Sequence, residues 1–180
     1  MKILLGICGS SGTNLGLKLL ENLEKKAEIY CIITNCARLS FEKEYQKNMD
    51  EICKIFKNVK FLDNNDLSEC VSSGSFGIEK TIIAPCSIST LAKIHAGFAD
   101  TLLTRAAAVA LKERKTLILG VREMPFSTLS LEHMAKLSLL GCVIAPPIYA
   151  SYGGDSENFI VGKWLDLLGI ENNLFKRWKS

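Results

Sequence analysis

Histidine and proline are both scarce in this sequence. The first scarcity argues against a metal site, and the second argues against a linker between domains. The chain of 180 residues contains 2 histidines, His95 and His133, and neither has a cysteine at the spacing of a zinc site, so we expect no bound metal ion. There are only 4 prolines and no low-complexity run, so nothing marks a linker between domains. The sequence therefore predicts a single domain over residues 1–180, with a C-terminal tail from about residue 169.

Long apolar runs and a strong net charge are also missing. No segment approaches the length of a membrane-spanning helix, and the short apolar run at 2–8 is typical of a first strand rather than of a signal peptide. The net charge is only +3, which does not favour a nucleic-acid-binding protein. The 7 cysteines form no CxxC pair, and their odd number favours reduced thiols. We expect a cytoplasmic protein that binds neither membranes nor nucleic acids.

Short apolar segments alternate with helical patterns along the whole chain. The predicted strands are 2–8, 28–34, 59–62, 80–84, 116–121 and 142–145. The predicted helical segments are 13–25, 38–57, 87–96, 100–113, 127–140 and 156–168. Nearly continuous apolar strands are typical of a parallel sheet covered on both faces. The pattern thus predicts an α/β protein with a three-layer, doubly wound, Rossmann-like (flavodoxin-like) sheet, whose ligands bind beyond the carboxyl ends of the strands.

A glycine-rich loop, GICGSSG (6–12), follows the first strand and leads into a helix. Glycines let the backbone approach an anion, free N–H groups at the helix start attract negative charge, and Ser10 and Ser11 add hydroxyl donors. The glycine spacing is not GxGxxG, no Gly-Lys-Ser/Thr follows, and the second strand ends in Thr34-Asn35 without a carboxylate for a ribose. A mononucleotide such as FMN therefore fits better than a dinucleotide. A tight turn with capping serines is the alternative.

Hydroxyl residues also begin the helix after the fourth strand, in the run APCSISTL (84–91). Free N–H groups there can bind phosphate or the polar edge of a flavin ring, whereas Ser87 alone would be an ordinary N-cap. Both interpretations stay open at this point. Cys86 has no histidine nearby in sequence, so we expect a buried thiol rather than a nucleophile.

Cations and one carboxylate surround the fifth strand. Arg105 and Lys112 are seven residues apart on one predicted helix and project from the same face. Arg122 and Glu123 follow the fifth strand directly. We expect the three cations to meet in one crevice and hold phosphate groups, and Glu123 to pass a proton to a leaving group. For Lys112 the alternative is a solvated helix end.

Six segments occur in a characteristic order: GICGSSG (6–12), SSGSFG (72–77), PCSISTLAKI (85–94), DTLLTRAA (100–107), LKER (111–114) and VREMP (121–125). This ordered set resembles the flavin prenyltransferases, the UbiX-type members of the flavoprotein decarboxylase-like superfamily, from Lys2 to about Trp178. The resemblance implies a homododecamer with FMN near subunit interfaces. It also implies metal-independent transfer of a dimethylallyl group from dimethylallyl monophosphate to N5 and C6 of reduced FMN, which then serves a UbiD-type decarboxylase.

The resemblance also implies roles for individual positions. The implied FMN contacts are Gly9, Ser10, Ser11, Thr34, Ser87, Ile88, Ser89, Thr90 and Arg122. The implied contacts of the prenyl phosphate are Arg105, Lys112, Tyr152 and Lys163. Glu123, supported by Glu42 and Ser11, would relay a proton to that phosphate.

The chain departs from the family pattern at several positions. Ser89 stands where relatives usually carry lysine, and Lys163 stands where arginine is common, which replaces a bidentate clamp by a point charge. Cys8 replaces a small hydroxyl residue, and the loop 153–155 is shorter than its counterpart. These departures suggest an alternative, an FMN carrier or storage protein that has lost prenyl transfer. The chain nevertheless retains the residues of the predicted proton relay and phosphate contacts. A carrier protein has no evident use for them, which argues against this alternative.

A second alternative is a cysteine-type flavoprotein decarboxylase of the same superfamily. Such enzymes need a catalytic histidine near the first helices and a Pro-x-Met-Asn segment after a later strand. This chain has PPIY (146–149) at that place, and His95 lies in a different context. The sequence therefore favours the prenyltransferase over the decarboxylase.

Overall fold

A single parallel sheet of six strands organises the protein in a computed structural model that describes residues 1–178. Lys179 and Ser180, to which the predicted domain 1–180 extends, lie outside the described residues. The strands are β1 (Lys2–Ile7), β2 (Glu28–Ile33), β3 (Val59–Leu62), β4 (Lys80–Cys86), β5 (Thr116–Val121) and β6 (Val143–Ile144). Their order in the sheet is β3-β2-β1-β4-β5-β6, and all neighbouring pairs are parallel, which confirms the predicted fold class.

Helices connect the strands and cover both faces of the sheet. They are α1 (Thr13–Leu23), α2 (Asn35–Tyr45), α3 (Met49–Cys53), α4 (Ile88–His95), α5 (Leu102–Lys112), α6 (Thr128–Leu139) and α7 (Ser156–Leu167). The region 38–57, which was predicted to be mostly helical, contains most of α2 and all of α3. The chain leaves α2 at Gln46, whose φ of 52° is left-handed, and Asn48 caps α3 by accepting from the Asp50 N–H at 2.8 Å. The fourth strand is longer than predicted, since it continues past Ala84 to Cys86 with an irregular register.

Two apolar cores lie on opposite faces of the sheet. Because successive strand residues point to opposite faces, Ile3, Leu5 and Ile7 of β1 enter one core while Leu4 enters the other. Helices α1, α2 and α7 contribute to the first core, and α4, α5 and α6 contribute to the second. This division between faces decides which predicted site residues can meet within one subunit.

The sheet changes its winding direction between β1 and β4. Starting from β1, the chain proceeds outward to β3, then returns to β4 and proceeds the other way. The loops after β1 and β4 therefore lead to helices on opposite faces and leave a crevice between them at the carboxyl ends of the strands. The Cys8 N–H donates to the carbonyl of Pro85 at 3.1 Å, which joins the loop after β1 to the end of β4 at the base of this crevice.

The chain after α7 turns back along that helix. Phe175 fills a notch at Gly162, where an added Cβ would come within 2.4 Å of the phenyl ring. The Lys176 N–H then donates to the Gly153 carbonyl at 3.3 Å, so the tail passes near the turn that precedes α7. Among residues 1–178, no helix combines the length and the apolar character that crossing a bilayer requires.

Candidate active site

The start of α1 is prepared to receive an anion. Gly12 is the N-cap with a φ of 93°, and no side chain caps the helix, so its first N–H groups stay available. The hydroxyls of Ser10 and Thr13 flank this point, and both are buried without a hydrogen-bond partner among residues 1–178. Buried polar groups are normally paired. Two orphaned hydroxyls beside free helix N–H groups therefore fit a group such as the FMN phosphate.

Gly9 allows the first loop to pack against the start of α2. A Cβ at Gly9 would lie 2.4 Å from the Cβ of Cys36 and 2.6 Å from the Cys36 carbonyl carbon. Thr34 caps α2 by accepting from the Ala37 N–H at 3.2 Å, and its own N–H donates to the Ile7 carbonyl at 3.0 Å. The loops after β1 and β2 thus form one continuous wall, and they bring Gly9 and Thr34 together as neighbours.

The helix after β4 begins with a conventional cap. Ser87 Oγ accepts from the Thr90 N–H at 3.2 Å and donates to Thr90 Oγ1 at 3.0 Å, so Ser87 is the N-cap of α4. Thr90 Oγ1 also lies 3.3 Å from Cys8 Sγ, so a small polar network crosses the crevice. Ile88 is half-buried, and Ser89 is exposed in the first turn of α4.

The two cysteines of the crevice are poor nucleophiles. Cys8 and Cys86 are both almost fully buried. Burial raises the pKa of the Cys86 thiol well above its usual value. Burial also raises the pKa of Cys8, and hydrogen bonds with Thr90 and Ser87 offset only part of that effect. The expectation that Cys86 is a buried thiol is confirmed.

Arg122 and Glu123 stand at the rim of the crevice. The Arg122 N–H donates to the Cys86 carbonyl at 3.0 Å, which fixes the end of β5 beside the loop after β4. Glu123 is exposed, and its Oε1 accepts from the Met124 N–H at 3.1 Å. Both side chains are therefore exposed at the carboxyl end of the sheet.

The structure does not bring Lys112 into this crevice of its own subunit. Helix α5 ends at Lys112, only four residues before β5 begins, so Lys112 lies near the amino end of the sheet. Its ammonium group contacts the carboxylate of Glu113. Arg105 lies two turns earlier, about 10 Å along the helix axis, and its Nε donates to the Ser72 carbonyl at 3.1 Å. The spacing of the two cations correctly predicted that they share one face of α5. It did not show that the helix runs toward the amino end of the sheet and carries Lys112 away from the crevice.

Tyr152 and Lys163 lie on the opposite side of the sheet from α5. Tyr152 belongs to a 3-10 turn over Ser151–Gly153, and its ring packs edge-on against Phe159 of α7 at 5.8 Å. Lys163 follows Phe159 by one turn on α7 and is exposed. The four predicted phosphate contacts are thus divided, two on each face of the sheet.

Glu42 and Ser11, the predicted partners of Glu123, lie at different depths. Ser11 is half-buried in the loop after β1, close to the crevice. Glu42 is exposed on α2, about 10 Å along the axis from the start of that helix. Because β2, which leads into α2, is three strands from β5, one subunit alone does not bring Glu42 close to Glu123.

Two residues of the site were not among those predicted from the sequence. Thr13 had a usable signal, since it is a hydroxyl residue at the first helical position after a glycine-rich loop. Cys36 had none, because its contact with Gly9 joins positions 27 residues apart and depends on the pairing of β1 with β2. Over the part of the chain that the structure describes, no group of three or more His, Cys, Asp or Glu residues is arranged to hold a metal ion.

Comparison with known proteins identifies the family of this chain. The sequence model of the Flavoprotein family matches residues 1–168. The flavin prenyltransferase UbiX of Campylobacter jejuni is 68% identical over the full length of both chains. That of Methanocaldococcus jannaschii is 42% identical over 99% of this chain and 98% of its own.

Solved structures of similar proteins have the same fold. A dodecameric FMN-dependent UbiX-like decarboxylase from Escherichia coli O157:H7 superposes with a TM-score of 0.94 at 35% identity and covers 100% of both chains. AnUbiX, solved in complex with FMN and dimethylallyl pyrophosphate, gives 0.92 at 35% identity over 99% of this chain and 97% of its own. The chain described here belongs to the Flavoprotein family and, within it, to the flavin prenyltransferases of the UbiX type.

Proposed function

We propose that this protein transfers a dimethylallyl group from dimethylallyl monophosphate to reduced FMN. The observation that carries the proposal is the start of α1, where free N–H groups and two orphaned buried hydroxyls form an anion cradle at the same edge of the sheet as Arg122 and Glu123. The complex of AnUbiX with FMN and dimethylallyl pyrophosphate supports the same pairing of ligands.

The loops at the carboxyl ends of β1, β2, β4 and β5 would hold FMN. Ser10, Ser11 and the first N–H groups of α1 would bind its phosphate, while Thr34, the turn 87–90 and Arg122 would line the ring. Reduced FMN supplies the electron-rich N5 and C6 atoms to which the dimethylallyl carbons become joined. The glycine at position 9 keeps this wall closed against α2.

The phosphate side of the site promotes departure of the leaving group. The carbon–oxygen bond of the allylic phosphate breaks, and cationic side chains compensate the charge that develops on the departing phosphate. Glu123 would deliver a proton to that phosphate, supported by Ser11 and, from a neighbouring subunit, by Glu42. The proposed contacts of the phosphate are Arg105, Lys112, Tyr152 and Lys163.

We further propose that these contacts meet only in an assembly. Arg105 and Lys112 lie on one face of the sheet and Tyr152 and Lys163 on the other, so a complete phosphate site draws on more than one subunit. A dodecamer like that of the Escherichia coli relative would supply the neighbouring subunits.

The prenylated flavin would then pass to a UbiD-type decarboxylase. Free thiols at all seven cysteines suit a reducing cytoplasm.

Mixed oligomers test the shared site. Arg105→Ala and Tyr152→Ala should each lower the release of inorganic phosphate from dimethylallyl monophosphate, with dithionite-reduced FMN, by about 100-fold or more. In oligomers that contain both variants in equal amounts, about a quarter of the sites should hold both intact residues and recover activity. The two variants are co-expressed with different affinity tags, and doubly purified oligomers are assayed.

Recovery to about that fraction supports a site built between subunits. Absence of recovery in doubly purified oligomers would assign both residues to one subunit, against the division of the two faces described above. An FMN carrier without prenyl transfer would release no phosphate even as the unaltered protein.

A further inference from the structure

We propose that Arg177 is a positioning residue that engages the carboxylate of Asp166 and so keeps the Lys163 ammonium free for the donor phosphate. The inference rests on the proposed function, because it presupposes that Lys163 contacts the prenyl donor. It goes beyond that function because it assigns a role to the C-terminal tail. No motif in the sequence indicated that role.

Asp166 is the point where the tail meets the last turn of α7. Arg177 Nη1 donates to Asp166 Oδ2 at 2.5 Å, and Nη2 donates to Oδ1 at 2.8 Å, which is a bidentate pair. Asn172 Nδ2 also donates to Oδ1 at 3.0 Å. Partial burial acts to raise the pKa of Asp166, but the contacts with Arg177 and Asn172 outweigh it and leave that pKa below its usual value.

Lys163 is the competing cation. It lies one turn before Asp166 on the same helix, and its Nζ is 4.0 Å from Asp166 Oδ2, at the outer limit of an ion pair. With Arg177 in place, both carboxylate oxygens already accept short hydrogen bonds. Without Arg177, the flexible lysine stem would let the ammonium group move onto Asp166, which would reduce its availability for an anionic substrate.

Other contacts of the tail hold Arg177 in position. Its guanidinium lies 4.3 Å from the centre of the Phe175 ring, and its Nη2 also donates to the Asn172 carbonyl at 3.1 Å. Phe175 is anchored in the notch at Gly162 and packs edge-on against Phe159 at 5.0 Å. The tail therefore keeps its course along α7 by apolar packing, and the ion pair can be removed without releasing the segment.

The test is a titration of the FMN-loaded full-length protein with dimethylallyl monophosphate. Arg177→Gln should raise the dissociation constant of the donor about three- to tenfold, with FMN affinity unchanged. The double variant Asp166→Asn/Arg177→Gln should restore donor binding to within about twofold of the unaltered protein, because Lys163 then has no carboxylate to pair with. Lys176→Gln is the matched control, since it removes a neighbouring tail charge whose side chain forms no ion pair among the described residues.

The outcomes separate the inference from the proposed function. The positioning role of Arg177 is wrong if the double variant binds the donor as weakly as Arg177→Gln. It is also wrong if Arg177→Gln has no effect on donor binding while Lys163→Gln weakens it. In both cases the contact of Lys163 with the donor phosphate stands. If Lys163→Gln leaves donor binding unchanged, the phosphate contact of Lys163 is wrong and the inference fails with it. Weak binding in Arg177→Gln, rescue in the double variant and no effect of Lys176→Gln would support the positioning role.

Discussion

Replacing Glu123 by glutamine should slow the formation of prenylated FMN by about 10²- to 10⁴-fold while FMN stays bound. Glutamine keeps the shape of the side chain and its hydrogen bond with the Met124 N–H, but it cannot deliver a proton to the departing phosphate. Because Glu123 is exposed at the rim of the crevice, the substitution leaves no buried group unpaired and should not change stability measurably. Anaerobic single-turnover experiments with saturating donor measure the chemical step directly.

Glu21→Gln provides the matched control for this prediction. Glu21 is also exposed, but it lies near the end of α1 and thus toward the amino end of the sheet, away from the crevice. Glu21→Gln removes the same charge and should leave the rate of prenylated FMN formation within about twofold of that of the unaltered protein. An unchanged rate in Glu123→Gln would exclude Glu123 from the proton relay. The cationic side chains alone would then stabilise the charge that develops on the departing phosphate.

Adding one methyl group at Gly9 should abolish FMN binding. In Gly9→Ala the new Cβ would meet the backbone and Cβ of Cys36 at 2.4–2.7 Å, and backbone atoms cannot rotate away as a side chain can. The loop after β1 must then separate from α2, which moves Ser10, Ser11 and the start of α1 relative to the ring wall. We expect the FMN dissociation constant to rise by about 100-fold or more, with a loss of stability of about 1–3 kcal/mol. The purified variant should be colourless.

Gly77→Ala separates loss of the site from loss of stability. Gly77 has a φ of 83° and open space around its Cβ position, so alanine there costs about 1 kcal/mol of backbone strain without a clash. Its turn follows the 3-10 segment Gly74–Phe76 and precedes β4, at the amino end of the sheet. This variant should be less stable but still yellow. A yellow Gly9→Ala protein with unchanged FMN affinity would show that the contact with Cys36 does not shape the cradle.

Much of the fold could be predicted because its signals are local. Alternation of short apolar runs with amphipathic segments gave all six strands and placed Thr34, Arg122 and Glu123 correctly at the carboxyl ends of β2 and β5. The break between α2 and α3 was missed because a left-handed residue such as Gln46 in a polar stretch has no distinctive composition. The extension of β4 through Pro85 was missed because proline usually ends a strand.

The candidate site was predictable in its parts but not in its arrangement. Spacing along α5 correctly predicts that Arg105 and Lys112 share a helix, yet only the direction of that helix shows that Lys112 points toward the amino end of the sheet. The separation of Tyr152 from Arg105 by the sheet depends on which face each crossover covers. The contact of Arg177 with Asp166 depends on how the tail folds back on α7, and an isolated charge pair eleven residues apart carries no signal in the sequence.

Whether this protein joins a prenyl group to FMN can be decided by one anaerobic incubation. The purified protein is mixed with FMN, dithionite and dimethylallyl monophosphate, and the extracted flavin is analysed by mass spectrometry. We expect a flavin heavier by one five-carbon prenyl unit, together with release of inorganic phosphate. Recovery of unmodified FMN from a protein that binds it tightly would contradict prenyl transfer from this donor and favour the carrier.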